Sequence, residues 1–535
     1  MRLRRRVRSL LGLLSATPLI WGATPVAAQT RPSLLDGVAR RAAAPQPVTP
    51  AMQLSVDQAV SLALEQNLGI QVERLGPRIQ DYSVSAARSS WTPVINSSLS
   101  SRDATQAPTS SISPSSTTTT LSTAFGASQS LPWGGSYSAD WSNSRQTSTN
   151  IFNNFSPQLQ SNFQASYTQP LLRNYSIDAI RQQVQLSETL RDLSDIQLRA
   201  VIAQTMRNVK NAYWDLTYAI DNLRATQQSL ALSEQSLRDN QRRVDVGTMA
   251  PIDIVQAQAE VANNQQTVIV AEAAITTAED RLRTLIFDPA RPDFWTIALE
   301  PTDTVAFQAQ EVDVDEAIRT AIANRTDLLQ AKNGLSQTDI SIRYLKNQLL
   351  PDLNAQVSYQ AIGIGGSRLA PIDPFSLGGG LPTRTVQSQV GFGTVLGDVF
   401  GNAYPTWTFG VTVGYPIGTS SAEANLARAR LEQQQAEGNL RNLELQVATQ
   451  VRAAARQVRT NQQRVQAARA SRSLQEQKLD AEEKKFAAGL STNFQVIQAQ
   501  RDLAVARTSE VSAIADYNKS LVDLEAVQEV PLAGR

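Results

Sequence analysis

The carboxylates, serines and lysines are the most chemically versatile side chains of this sequence, because its 535 residues include no histidine and no cysteine. Imidazole acid–base catalysis, thiolate nucleophiles and the usual Cys/His metal sites are therefore excluded. No nucleophile, metal-binding or phosphate-binding motif arranges the groups that remain. We expect neither an enzyme nor a bound cofactor.

Polar side chains do recur in one arrangement, beside a glycine. Residues 245–260 read DVGTMAPIDIVQAQAE and residues 487–502 read AAGLSTNFQVIQAQRD. Glycine tolerates the left-handed backbone that often ends a helix, and Pro251 suits the first turn of a helix that follows. The sequence therefore predicts two helical hairpins, with turns at Gly247 and Gly489.

The helices that lead into these turns are predicted to be unusually long. Residues 176–246 contain no glycine or proline, which allows a helix of roughly 105 Å at about 1.5 Å per residue. Their apolar side chains recur with a seven-residue period, which predicts supercoiling against partner helices. The counterpart is predicted over 422–488, and the returning helices over 252–286 and 494–527.

The sequence contains an internal duplication. VDQAV at 56–60 returns as VDEAI at 314–318, and Gln-Ala-Gln follows both turns at the same distance. We predict two repeats, 53–300 and 301–528, followed by a short tail, 529–535. Each begins with a helix, the first over 55–90, for which Ser55 and Asp313 are the candidate N-caps. Pro93 and Pro351 end these first helices, because proline disfavours helical geometry in the residue before it.

Segments between the prolines and the long helices alternate with period two. Within the predicted strand regions, about 94–170 and 352–416, aromatic and aliphatic residues occupy one face and uncharged polar residues the other. This pattern fits a membrane β-barrel, and it also fits a soluble sandwich with one wetted face. Polar runs at 109–120 and 363–380 are predicted loops. An extra hairpin at 121–141 has no counterpart in the second repeat, and whether it joins the same sheet is left open.

The N-terminus indicates export. Five arginines, a mostly apolar stretch and Val-Ala-Ala before Gln29 have the layout of a signal peptide over 1–28, followed by a linker over 29–52. Without cysteine, no lipid can be attached at a processed N-terminal thiol. The net charge of +1 argues against nucleic acid as a partner. No later stretch offers the roughly 18 apolar residues of a spanning helix, so a membrane crossing would require a closed β-barrel.

The paired segments resemble the TolC-like outer-membrane efflux proteins, across essentially the whole mature chain. The resemblance is carried by LSVDQAVSLALEQN with VDVDEAIRTAIANR, by TQPLL with GYPIG, and by VGTMAPIDIVQAQ with AGLSTNFQVIQAQ. It implies a mixed α and β membrane protein: a trimeric 12-stranded outer-membrane β-barrel, with about four strands per chain, continuing into a periplasmic α-helical coiled-coil barrel.

The same resemblance implies a function and partners. The chain would be the outer-membrane exit duct of a tripartite efflux or type I secretion system, with a long periplasmic extension. Its partners would be two further copies of itself, a periplasmic adaptor (membrane fusion) protein, an inner-membrane pump of the proton-driven or ABC type, and outer-membrane lipid. The cargo, small molecules or polypeptides, is left open. The alternative is a non-conducting, elongated coiled-coil structural protein of the envelope.

Functional residues are implied at the two turns. The resemblance implies that the adaptor protein contacts six residues of the turns: Val246, Gly247, Thr248, Gly489, Leu490 and Ser491. It places Asp253, Phe486, Gln495 and Gln498 at the periplasmic entrance. The two glutamines stand where relatives carry acids, and Phe486 stands where relatives carry a gating tyrosine, so a weaker cation preference and no hydroxyl latch are expected. Asp253 has a second interpretation, as a first-turn acid that stabilises the helix dipole.

Overall fold

The computed structural model describes residues 51–108, 115–150, 152–303, 307, 311–371, 384–418 and 420–529. The predicted signal peptide, the linker up to residue 50 and the tail from residue 530 lie outside these described residues. The helices and strands follow in chain order: β1 (Ala51–Leu54), α1 (Val56–Gln66), α2 (Leu68–Glu73), α3 (Leu75–Arg88), β2 (Val94–Gln106), β3 (Ser116–Ser130), β4 (Ser136–Ser148), β5 (Phe155–Pro170), α4 (Ala179–Asp245), α5 (Pro251–Ile286), β6 (Ala298–Pro301), α6 (Val314–Asn324), α7 (Thr326–Gln348), β7 (Asp352–Leu369), β8 (Val386–Val390), α8 (Phe392–Phe400), β9 (Pro405–Gly414), α9 (Ser421–Ala487) and α10 (Asn493–Gln528).

The first helix of each half begins at its predicted cap. The Ser55 hydroxyl accepts a hydrogen bond from the Gln58 amide at 3.2 Å, and the Gln58 side chain accepts one from the Ser55 amide. The Asp313 carboxylate accepts hydrogen bonds from the amides of the next helix's first turn. Both candidate N-caps are confirmed.

The prediction of one continuous helix over 55–90 was wrong. Asn67 has extended backbone angles, and its side chain accepts a hydrogen bond from the Ile70 amide, so it ends α1 and caps α2. A further boundary at Arg74 separates α2 from α3. Arg325 separates α6 from α7 in the second half with similar backbone angles, but its side chain does not cap the helix that follows.

Two pairs of long helices dominate the structure. The outgoing helices α4 and α9 each span 67 residues, and the returning helices α5 and α10 each span 36. Their ends agree with the predicted ends to within three residues. Within the described residues, every helix is too short or too polar to cross a lipid bilayer.

Ion pairs and small apolar clusters hold these helices together. Arg207, Lys210 and Asp215 of α4 pair with Asp523, Glu525 and Lys519 of α10 at 2.6–2.7 Å. The largest apolar cluster packs α1 against α4, α5 and the two-stranded parallel sheet of β1 and β6. Tyr213 of α4 lies fully buried in it, with its hydroxyl 3.0 Å from the Leu54 carbonyl oxygen and 2.9 Å from the Asp303 carboxylate.

The remaining strands form one antiparallel sheet. Its order is β2-β3-β4-β5-β7, and both β8 and β9 pair with the far edge of β7. The expectation of about four strands per chain was therefore wrong: this sheet has seven strands within the described residues. The extra hairpin accounts for much of the difference, because β3 and β4 stand between β2 and β5.

Both predicted loops begin or end inside strands. β3 starts at Ser116, so it includes the end of the Ser/Thr-rich run. β7 ends at Leu369, so it includes the beginning of the glycine-rich run. Glycine is needed there because α8 packs on β5 and β7: a Cβ at Gly363 would collide with the Val395 carbonyl oxygen. Residues 109–114 of the first run and 372–380 of the second lie outside the described residues.

Candidate functional site at the two hairpin turns

The first turn ends α4 with a glycine in the left-handed conformation. Gly247 has φ +78°, its amide donates to the Val244 carbonyl at 2.9 Å, and the Thr248 amide donates to the Arg243 carbonyl at 2.9 Å. This pair of hydrogen bonds is the Schellman motif, which satisfies carbonyls that the end of a helix leaves unpaired. The Thr248 hydroxyl donates to the same Arg243 carbonyl, and Pro251 then opens α5.

The second turn repeats this geometry. Gly489 has φ +74°, its amide donates to the Phe486 carbonyl at 3.1 Å, and the Leu490 amide donates to the Lys485 carbonyl at 2.9 Å. The Ser491 hydroxyl donates to the Glu482 carboxylate at 2.8 Å. That bond and the Lys485 ammonium, which contributes most, hold the pKa of Glu482 below its ordinary value. Both predicted helix stops are confirmed.

Five of the six predicted contact residues are exposed, and the sixth, Ser491, is half-buried. Val246 is 74% exposed and Leu490 is 80% exposed. Apart from the two adjacent residues, no heavy atom of the described residues lies within 4 Å of a Cβ built on Gly247 or Gly489. An exposed aliphatic side chain thus stands on each turn, beside a backbone open to an approaching surface.

The predicted entrance residues do not come together as one polar cluster. Asp253 lies half-buried in the first turn of α5, where its backbone carbonyl oxygen is 3.5 Å from the side-chain Nδ2 of Asn493. Gln495 is exposed. Gln498 donates to the Asp502 carboxylate at 2.8 Å. The hydrogen bond from Lys478 and, after it, the bond from Gln498 hold the pKa of Asp502 below its ordinary value.

Phe486 packs inside the hairpin. It joins Leu479, Val496, Ala499 and Leu503 in an apolar cluster between α9 and α10. The guanidinium of Arg243, on α4, lies 4.5 Å from the centre of its ring. A cation over an aromatic face is attracted to it, so Phe486 contributes a contact between the first hairpin and the second.

Two further contacts between the hairpins were missed by the sequence analysis. Asn240 of α4 donates to the side chain of Asn493 at 2.9 Å, and both are buried. Arg501 of α10 donates twice to the carboxylate of Glu260 in α5, at 2.8 and 2.6 Å. The sequence places an acidic residue, Glu260 or Asp502, at the same position after each turn glycine, but this recurrence does not indicate the partner of either one.

The part of the chain that the structure describes contains no candidate metal site. No three acidic side chains there are grouped so that they could hold a metal ion. Polar side chains at the turns, such as those of Thr248, Ser491 and Asn240, form hydrogen bonds with backbone or with other side chains, so this arrangement can position helices against one another.

The fold is that of known outer-membrane channels. The structure of CusC matches with a TM-score of 0.64 at 13% identity, covering 90% of this chain and 93% of that one. VceC of Vibrio cholerae, an outer membrane protein, matches at 0.61 and 13% identity, over 89% and 96%. CmeC of Campylobacter jejuni, an outer membrane channel, matches at 0.59 and 16% identity, over 89% and 85%. No curated protein sequence matches this chain.

A family model describes the sequence as well. The model for the outer membrane efflux protein matches residues 133–286 and 317–528, which is more than half of the chain. Those two segments contain both hairpins and lie one in each predicted repeat. The chain therefore belongs to the outer membrane efflux protein family and is an outer-membrane exit duct for efflux.

Proposed function

We propose that three copies of this chain assemble into one hollow duct. Their sheets close into a β-barrel in the outer membrane, and their helical hairpins line a tunnel through the periplasm. The observation that carries the proposal is the state of the sheet's edges: nearly every residue of β2 and β9 is exposed, and within the described sheet each has a partner strand on one side only. Open strand edges are normally paired, covered or charged, and a closed barrel removes them.

Lipid would cover the apolar face of the sheet. Trp407, Phe409, Val411 and Val413 of β9 all point to one face, and each is at least 60% exposed. Exposed aromatic and aliphatic side chains on this scale mark an interaction surface. Uncharged polar residues alternate with them and would face a water-filled lumen.

The two turns are the surface we assign to the adaptor. Val246, Gly247 and Thr248 on one hairpin, and Gly489, Leu490 and Ser491 on the other, would meet a periplasmic adaptor protein. The adaptor would connect the duct to an inner-membrane pump, either proton-driven or of the ABC type. The duct itself would be passive, without cofactor or catalysis, and would bind no nucleic acid. Asp253, Phe486, Gln495 and Gln498 would lie at its periplasmic entrance.

The proposed organisation of the precursor follows the sequence. A signal peptide over 1–28 would be removed on export, and the absence of cysteine leaves no site for a thioether-linked lipid. The mature chain would then consist of the linker, the repeats 53–300 and 301–528, and the tail.

Purified protein tests the proposal directly. Outer-membrane fractions should yield a particle with the mass of three chains, threefold symmetric in electron micrographs, that produces ion conductance in a planar bilayer. Recovery as a soluble periplasmic monomer would overturn the proposal. A membrane-bound particle without conductance would instead favour the non-conducting structural protein.

A cross-linking experiment tests the turns. A photoreactive label on Thr248→Cys or Ser491→Cys should capture a periplasmic partner in cells, and the chain has no native cysteine to compete. Gln228→Cys, exposed in the body of α4, is the matched control and should capture much less. Equal capture at all three positions would remove the turns as the specific contact.

A further inference from the structure

We propose that the β3–β4 hairpin is part of the membrane wall, so that three copies close a barrel of eighteen strands. The inference rests on the trimeric duct proposed above. It concerns the width of the pore and the strands that line it.

The hairpin is hydrogen-bonded into the sheet along its whole length. β3 pairs with β2 from Ser116 to Ser128, and with β4 from Thr118 to Ser130. β4 pairs with β5 from Ser136 to Gln146. A tilted strand crosses a membrane with about 9–11 residues, and β3 and β4 have 15 and 13. Both strands are therefore long enough to span.

The hairpin also lies at the same height as the other strands. One row of directly opposed residues runs across six strands and is apolar throughout: Ile95, Ala127, Ala139, Ala165, Tyr359 and Trp407. In the next row on that face, the rings of Phe125 and Trp141 lie 6.2 Å apart. The apolar face of the hairpin thus continues the apolar band of the sheet, which α8 covers at Trp141 and lipid would cover elsewhere.

The opposite face of the hairpin continues the polar side. The row between the two apolar ones is, in strand order, Asn96, Gly126, Asp140, Gln164, Gln360 and Thr406. It contains no apolar side chain larger than the hydrogen of glycine. A hairpin folded away from the wall would have no reason to keep this alternation in phase with its neighbours on both sides.

The turn of the hairpin reaches the junction with the helices. A Cβ on Gly134, which has φ +93°, would collide with the Asn174 carbonyl and the Arg181 guanidinium just before and within α4. The Trp133 indole nitrogen lies 3.2 Å from the Tyr167 hydroxyl. Aromatic side chains of this kind are enriched where a membrane meets water. The hairpin therefore extends down to the helical end of the sheet.

Within the described residues, six strands of each chain stand side by side at this level. β9 pairs with Asp352–Ala361 of β7, whereas β8 pairs with the other end of that strand, from Gly366. The wall contributed by one chain is thus β2-β3-β4-β5-β7-β9, and β2 would pair with β9 of the next copy. At a strand spacing of about 4.8 Å and a tilt of about 40°, eighteen strands give a backbone diameter of about 36 Å, against about 24 Å for twelve.

Single cysteines in β4 and β5 test the position of the hairpin. Asp140→Cys and Gln164→Cys share the polar row, and Ala139→Cys and Ala165→Cys share the apolar row. In trimers reconstituted into vesicles, a charged thiol reagent should modify both polar-row cysteines at least tenfold faster than both apolar-row cysteines. If the β5 pair shows that difference while both β4 cysteines react equally fast, the hairpin lies in water outside the wall and the inference fails.

Images of the unmodified protein give an independent result. A cross-section of the barrel should show eighteen strands and roughly twice the open area of a twelve-stranded barrel. A threefold particle with twelve strands would overturn this inference and leave the proposed duct intact. A single-chain particle, or a particle without a barrel, would overturn the proposed function itself.

Discussion

Arg501 of α10 donates two hydrogen bonds to a single carboxylate oxygen of Glu260 in α5. The carboxylate is buried, with 8% of its side chain exposed, whereas half of the Arg501 side chain is exposed. Glu260 stabilises the charged guanidinium and raises the pKa of Arg501 further. Because α5 belongs to the first hairpin and α10 to the second, this pair ties the two hairpins of one chain together.

Replacing Arg501 with methionine should loosen this tie. The change keeps most of the side-chain volume but leaves a buried carboxylate without its donors, which costs about 1–3 kcal/mol when one partner is partly solvated. We expect a lower midpoint of thermal unfolding for Arg501→Met. We also expect a higher single-channel conductance in planar bilayers, since the hairpins near the turns would separate more easily.

Asp502 provides the matched control. It occupies the same place after its glycine as Glu260, but it pairs with Lys478 of α9 at 2.7 Å, within the second hairpin. Asp502→Asn should therefore leave the conductance nearly unchanged. An equal rise in both variants would show that the contact between hairpins is not what restrains the entrance.

The glycines of α9 and its turn should respond to alanine with opposite signs. Gly489→Ala places a Cβ on a left-handed backbone where, apart from the adjacent residues, no atom of the described residues lies within 4 Å, so its cost is conformational and about 1–2 kcal/mol. Gly438→Ala, in the body of α9 with equally open surroundings, should stabilise by about 0.5–1 kcal/mol because alanine favours the helix. Circular dichroism during unfolding measures both, and two shifts of the same sign would contradict this account.

The long helices and their turns were predictable because their signals are local. Glycine and proline are absent over α4, Gly438 alone occurs within α9, and Gly247 and Gly489 mark the ends of the two helices, so no knowledge of packing was needed. The breaks at Asn67 and Arg325 were missed because each interrupts a pattern that stays apolar and periodic on both sides. Whether an asparagine side chain caps a helix or remains exposed on its surface is decided by the folded structure around it.

The sheet and the contacts between hairpins were less predictable. Ser116 and its neighbours were predicted to form a loop because a run of serine and threonine shows no alternation of apolar and polar side chains. They form a strand because β2 and β4 supply hydrogen-bonding partners. Gly363 read as a loop residue because its role depends on α8, which approaches from elsewhere in the chain. The pair of Glu260 and Arg501 was missed because residues that pair between separate helices have no characteristic separation in the sequence.

Tyr213 should make stability depend on alkaline pH. Burial is the main cause that raises its pKa to about 12, with Asp303 also contributing, whereas an unfolded tyrosine has a pKa of about 10. The folded state therefore holds its proton more tightly. That contribution is complete below about pH 10 and is lost as the pH rises towards about 12.

Tyr213→Phe should remove this part of the pH dependence. It should also lower stability at neutral pH by about 1–2 kcal/mol, because the Leu54 carbonyl and the Asp303 carboxylate lose a donor. Unfolding midpoints measured across this pH range give both effects. Tyr218→Phe on the same helix is the control and should keep the alkaline loss, and a profile for Tyr213→Phe that matches the unaltered protein would refute the assignment.

Asp253 and Gln495 occupy the same place after Gly247 and Gly489, and they distinguish an entrance role from a helix-capping role. If Asp253 lines the entrance, Asp253→Asn should reduce the preference for cations, and Gln495→Glu should increase it, because fixed charge in a narrow passage concentrates the opposite ion. Reversal potentials under a salt gradient measure this preference. As a helix-dipole partner alone, Asp253 would contribute about 0.3–1 kcal/mol to stability. A lower unfolding midpoint for Asp253→Asn with an unchanged reversal potential would therefore assign the carboxylate to the end of α5 and leave the entrance without an acidic ring from either repeat.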